Sequence, residues 1–174
     1  GREADSCKGL TAIMPFIGGS EAEARAKRDR HNALARPELG LVTLASQLNV
    51  DLSPFPLSAT LAEIVRSPLI HPAAAEKLLM QGPDTTLEQL GRIFASSVRV
   101  PQLVGTGAQI ADQLAELFLG DGCDGFVISP AYLPGSFSEF VESVIPHLQR
   151  KGLFRRAYEG STLREHLGLA GLKD

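Results

Sequence analysis

The chain has 174 residues, of which 44% are hydrophobic and 21% charged, with a formal net charge of -3. That is enough apolar material for the core of one ordinary domain, and the acidic balance argues against a nucleic-acid partner, which a basic face would meet. There is no apolar run of about 18 residues for a membrane span, the opening residues 1–6 show no signal-peptide pattern, and Cys7 and Cys123 have no C-x-x-C spacing. Two ordinary thiols in a reducing, cytoplasmic setting are expected.

In chain order, residues 8–17 are mostly apolar and end in Gly18-Gly19. They predict a buried strand, with Pro15 near its end. Ser20 and Glu23 have the spacing of a capping box, so a helix should follow to about Ala35. Residues 37–97 break the pattern. Helices are predicted over 38–48, over 72–81 with Pro72 in the first turn, and over 86–97. The proline-bound loop 51–57 separates the first two. With no convincing strand, this block reads as a helical insertion. Such insertions serve as lids over substrate or as oligomer contacts, and the residues leave both open.

The strand–helix pattern then resumes. Residues 98–104 predict a short strand, and Gly105-Thr106-Gly107 a turn. Thr106 and Gln109 form a second capping box before a helix whose core stripe is Ile110, Leu114, Leu117 and Phe118. Residues 124–129 predict a third strand and 130–135 its exit loop. Ser136 to Glu139 reads as a third capping box, opening a helix with a stripe of Phe137, Phe140, Val141, Val144, Ile145 and Leu148 and a kink at Pro146. The charged tail 152–174 is expected on the surface or against a partner. The chain is therefore α/β, with three parallel βα units. Three strands cannot close a barrel, which needs eight, so the chain reads as part of a larger object.

Few side chains suggest chemistry by themselves. Gly105 and Gly107 begin a G-x-G-x-x-G pattern, but Ile110 stands at its third glycine, which excludes a dinucleotide fingerprint. For Thr106 a plain cap outweighs a phosphate site. His31, His71, His147 and His166 have no metal-ligand spacing, and the absence of G-x-S-x-G argues against a hydrolase. Asp121 and Asp124 flank a turn, with Asp124 expected to accept backbone N–H bonds at a strand start. Tyr132 lies in the Pro130–Pro134 loop after the last strand, where α/β barrels place active sites. It either packs over the proline-rich loop or donates a hydrogen bond to substrate or flavin.

Several stretches carry a family resemblance. They are Val104-Gly105-Thr106 with Ala111-Asp112-Gln113-Leu114, Cys123-Asp124-Gly125-Phe126, Tyr132-Leu133-Pro134-Gly135, residues 144–155 and the ending 158–169. Gly1-Arg2 with Asp5-Ser6, the 50–53 loop and Pro56-Leu57 belong with them. Together they resemble the C-terminal part of bacterial luciferase-like monooxygenases, in the nitrilotriacetate and dibenzothiophene-sulfone monooxygenase branch. Gly107 stands where a proline is common and Leu117 where a tryptophan is common, and neither departure touches the chemistry.

The resemblance implies the C-terminal part of a (β/α)8 TIM barrel with a helical insertion. It implies a two-component enzyme that takes reduced FMN from a separate NAD(P)H:flavin reductase and uses O2 to oxygenate a small organic substrate. A homo-oligomer is expected, and the charge, hydropathy and histidine spacing above leave no nucleic acid, membrane or metal among its expected partners. It further implies that most flavin contacts lie upstream of Gly1, so that this segment alone is inactive. Val100, Pro101 and Tyr132 are expected near flavin or substrate, and no catalytic residue is assigned. The alternative is a non-catalytic assembly module derived from such a barrel.

Overall fold

The computed structural model describes residues 7–120 and 122–169. Gly1-Arg2, Asp5-Ser6 and Asp121 lie outside the described residues. In chain order come β1 (Leu10–Ile17), α1 (Glu21–Ala33), α2 (Pro37–Leu48), α3 (Leu61–Ile64), α4 (Pro72–Leu79), α5 (Leu87–Ser97), β2 (Gln102–Gly105), α6 (Gly107–Leu119), β3 (Gly125–Ile128), α7 (Gly135–Ser143), α8 (Ile145–Arg150) and α9 (Leu163–His166). They form two compact units, Gly1–Arg28 with Pro101–Asp174, and Asp29–Val100.

The first unit is built on a parallel sheet of order β2-β1-β3. β1 divides its length between its neighbours. Met14–Ile17 pair with Gln102–Gly105, and Leu10–Ile13 pair with Gly125–Ile128. All three strands are parallel, as the sequence predicts. Their order carries a surprise, because strands wound one after another in a barrel would set β2 beside β3, whereas β1 separates them here. The alternation of the ladder explains why Pro15 is tolerated. The Met14 N–H donates to the Pro101 carbonyl on the β2 edge at 2.8 Å, so the N–H that Pro15 lacks would face the β3 edge. That edge has already lost its partner, since β3 delivers its last bond from the Ser129 N–H to the Ile13 carbonyl at 2.8 Å.

Ile13 and Ile17 pack against Ile110, Ala111, Leu114, Phe140, Val144 and Leu148. The expected helix stripes are narrower in fact. Leu117, Phe118, Phe137 and Val141 are exposed, and only the positions aimed at β1 are covered. The helix expected to kink at Pro146 breaks at Val144, and Pro146 sits in the first turn of α8, where its missing N–H costs nothing. β2 begins at Gln102 rather than at 98, because Val98 and Arg99 adopt left-handed φ values of 49° and 66° that end α5.

The second unit is helical throughout, with a single antiparallel bridge between Thr60 and Thr86 among its described residues. Leu41, Leu44, Leu61, Ile64, Leu78, Leu87, Leu90 and Phe94 are part of its core. α2 and α5 cross at two glycines. A Cβ on Gly40 would stand 1.9 Å from the Gly91 carbonyl oxygen, and one on Gly91 would stand 2.5 Å from the Pro37 carbonyl. Backbone-to-backbone contact of this kind tolerates no side chain at either position. Thr60–Glu63 and Thr86–Gln89 form complete capping boxes, and His71 caps α4 through Nδ1, which accepts the Ala74 N–H at 3.2 Å. α3 and α9, each a single turn, have no counterpart among the predicted helices.

Candidate site at the exit ends of the strands

In a parallel α/β sheet, ligands collect beyond the carboxyl ends of the strands. Here that end is formed by the turns after β1 and β2 and by the longer loop after β3. The two glycine turns meet, with the Gly18 N–H donating to the Gly105 carbonyl at 3.2 Å. Gly18 is required because a Cβ would stand 2.6 Å from the Ala24 nitrogen.

Both turns are capped from within the chain. At the start of α1, the Gly19 N–H donates to Glu23 Oε2 at 2.9 Å and the Glu23 N–H donates to Ser20 Oγ at 3.2 Å. At the start of α6, the Thr106 N–H donates to Gln109 Oε1 at 2.8 Å, while Thr106 Oγ1 accepts the Gln109 N–H at 3.4 Å. Two donors at each turn are thus engaged by the chain's own side chains, and at α1 the Glu23 carboxylate would also repel a phosphate. Gly107 serves packing instead, since a Cβ there would stand 2.2 Å from the Ser143 carbonyl oxygen. The departure from a common proline, neutral for chemistry, is therefore required by the approach of α6 to the end of α7.

The loop after β3 is better organised than its proline content suggests. The third capping box does not form. Pro134, not Ser136, occupies the N-cap of α7, and no side chain caps it. Ser136 Oγ donates to the Tyr132 carbonyl at 2.6 Å and accepts the Tyr132 N–H at 3.3 Å. Ser136 is the only buried polar residue among the described ones. Glu139 is committed elsewhere, to the Lys27 ammonium at 2.6 Å. The Tyr132 ring lies over Gly135, whose Cβ would stand 2.5 Å from Tyr132 Cε2. Tyr132 itself is 51% exposed, while its backbone is anchored by Ser136.

The other two expected site residues lie elsewhere. Pro101 is exposed at the entry to β2, on the β1 edge opposite the β3 loop. Val100 is half-buried, with its N–H bonded to the Ser97 carbonyl at 2.8 Å. Pro101 thus precedes β2 and Tyr132 follows β3, the two strands lying on opposite edges of β1. Lys27 and the second role of Ser136 had no distinct signal in the sequence, because a Ser–x–x–Glu spacing fits a cap as well as it fits these longer links.

Asp124 behaves as expected at the strand entry. Its carboxylate accepts the Gly9 N–H at 2.8 Å and pairs with Lys8 at 3.3 Å. The Gly9 backbone bond first, and the Lys8 bond after it, hold the carboxyl below its usual pKa. Three of the four histidines meet backbone carbonyls. His31 Nε2 meets the Ser96 carbonyl at 2.8 Å, His71 Nε2 meets the Leu48 carbonyl at 3.1 Å, and His166 Nε2 meets the Gly160 carbonyl at 2.8 Å. No cluster of three or more metal-binding side chains occurs among the described residues. Cys7 and Cys123 are both free thiols. No helix among the described residues is long and apolar enough to cross a membrane.

Comparison with known proteins gives this geometry a context. No known family's sequence profile matches the chain. Individual relatives do. The chain is 44% identical to dibenzothiophene-sulfone monooxygenase of Rhodococcus erythropolis over 177 residues, covering 97% of this chain and 38% of the relative. It is 36% identical to nitrilotriacetate monooxygenase component A of Aminobacter aminovorans, covering 100% of this chain and 39% of the relative. Its fold matches a solved riboflavin lyase, crystallised with modified FMN and riboflavin, at a TM-score of 0.76 and 31% identity, covering 96% of this chain and 36% of that one. The chain thus spans about two fifths of the length of the curated relatives it matches.

Proposed function

We propose that this chain, related along nearly its whole length to the dibenzothiophene-sulfone and nitrilotriacetate monooxygenase branch of luciferase-like enzymes, forms the C-terminal part of a (β/α)8 flavin monooxygenase. In this reading the natural polypeptide takes reduced FMN from a separate reductase and uses O2 to place one oxygen atom on a small organic substrate. The observation that carries it is the 44% identity sustained over 97% of the chain. The sheet supports a partial barrel wall. Among the described strands, none pairs with Met14–Ile17 on the β3 edge or with Leu10–Ile13 on the β2 edge. Val127 in β3 is 49% exposed, although parallel strands are normally covered on both faces. Both features suit a sheet that continues.

The residues present do not fit a whole FMN. The helix starts that could seat its phosphate are already capped from within the chain, by Glu23 at α1 and by Gln109 at α6. Tyr132 alone stands exposed at the exit end with a ring and a hydroxyl to offer flavin or substrate. This chain would therefore shape and orient one side of the pocket, while phosphate contacts come from elsewhere in the natural polypeptide. The bound flavin would supply the oxygen chemistry.

The experiment is a pair of FMN titrations followed by flavin fluorescence. The natural polypeptide with its flanking sequence should bind FMN stoichiometrically, and this 174-residue piece should not bind it appreciably. A stoichiometric micromolar complex with the piece alone would contradict the division of labour. A second reading, an assembly module, draws on Leu39 and Val42, exposed on α2 beside a groove lined by Leu41, Leu52, Phe55 and Leu57. It predicts that charged substitutions at Leu39 and Val42 shift the oligomeric state and leave turnover per subunit intact.

A further inference from the structure

We propose that Lys27 is a positioning residue, holding the Tyr132 loop against the exit end of β1 by a charged link that runs through Glu139 and α7. Its importance for turnover rests on the monooxygenase reading above, whereas the link itself rests on geometry alone.

The argument begins with the β3 edge of β1. Carbonyls on this edge serve β3, with Gly9 accepting from Asp124 and Ile13 from Ser129, each at 2.8 Å. β3 then ends. The Ile17 carbonyl faces the same edge beyond the last β3 donor, and Lys27 Nζ donates to it at 2.8 Å. The ammonium therefore takes over where the ladder stops. It also binds Glu139 Oε1 at 2.6 Å and pairs with Glu23 Oε1 at 3.5 Å. Its three partners come from the end of β1, from α7 and from the first turn of α1, so the charge has one position that suits all of them.

The link then passes to the loop. Glu139 lies on the helix whose second residue, Ser136, makes both main-chain hydrogen bonds to Tyr132. Gly135 keeps the space for the ring. Moving Glu139 relative to Ile17 would move α7, Ser136 and Tyr132 together. Burial disfavours the Lys27 ammonium, but the Glu139 hydrogen bond and charge, followed by Glu23, outweigh it and raise its pKa above the ordinary lysine value. The lysine is therefore cationic across the working range. A half-buried ion pair adds little net stability over an apolar replacement of similar size, so its value lies in orientation. The Lys27 side chain is 20% exposed, and methionine matches its length without the charge.

The test uses the natural full-length polypeptide with a fluorotyrosine incorporated at position 132, compared as wild type, Lys27→Met, Lys27→Arg and Glu139→Gln. The wild type and Lys27→Arg should each give one sharp fluorine resonance. Lys27→Met and Glu139→Gln should give a broadened or divided signal, with circular dichroism and thermal midpoint close to the parent. A single unchanged resonance in both charge-removing variants would overturn the positioning role. If Lys27→Met does not fold, Glu139→Gln carries the test by itself.

Activity provides the separate arm. In the FMN-loaded enzyme, Lys27→Met should lower kcat/KM about tenfold or more, as a misplaced orienting group does, with FMN affinity unchanged and Lys27→Arg restoring most of the loss. An altered resonance with unaltered turnover would keep the link and remove Tyr132 from the reaction, contradicting the functional reading alone.

Discussion

The sheet unit and the helical unit are held together by different kinds of information. In the helical unit the decisive contacts are local. Helices begin where Thr60, His71 and Thr86 meet a donor three residues on, and the helices then cross where two glycines permit it. In the sheet unit the decisive contacts span more than a hundred residues, as Lys27 with Glu139 and Gly9 with Asp124 do. The first arrangement sets a shape robustly. The second fixes a few side chains in relation to strands distant in sequence, which is what a site requires.

The largest expected effect probes how closely each unit is packed. Gly40→Ala forces a methyl group into the Gly91 carbonyl and should destabilise the helical unit by about 3 kcal/mol, whereas Gly107→Ala, at a helix start that can shift, should cost about 2 kcal/mol. Chemical denaturation of the two variants checks both values and their order. A smaller effect concerns local capping. His71→Ala should cost about 1 kcal/mol, and His71→Asn should recover most of it because asparagine can accept the same N–H. Amide exchange at Ala74 reports directly on that cap.

The smallest effect separates the strand entries from the helical unit by pH. Asp124 is held below the usual carboxylate pKa by the Gly9 bond and then by Lys8. A lowered carboxyl stabilises the fold fully above its unfolded pKa, near 4, and the contribution is lost as pH falls through the lower folded value. Acid titration should therefore loosen the β1–β3 entry below about pH 4, and Asp124→Asn should lose stability at neutral pH while flattening that acid dependence. Glu63, lowered by its bonds to Thr60, gives the helical unit its own acid-sensitive cap, which Glu63→Gln should flatten without affecting β1.

How much could be read beforehand follows the same divide. The starts of α4, α5 and α6 were legible because Pro72, Thr86 and Thr106 act on neighbours within one turn. Three parallel strands were legible from apolar runs and glycine turns. The limits of β2 were not, because neither the β-branched Val98 nor Arg99 carries a sequence signal for the left-handed φ each adopts. The apparent box at Ser136 and Glu139 misled for a related reason. Its residue types suit a cap, but partners elsewhere in the fold claim both side chains. Of the candidate site, Tyr132 can be proposed from its place after a strand, whereas Lys27 lies within an ordinary charged helix and stands out only with its three acceptors.

The most direct test of the account is a structure of the natural full-length polypeptide with FMN bound, in which the distance from the Tyr132 ring to the flavin or to bound substrate is measured. The account predicts van der Waals contact, about 4 Å between heavy atoms, with Lys27 still bridging Ile17 and Glu139. A Tyr132 ring turned away from the pocket, with no flavin or substrate atom in reach, would contradict it.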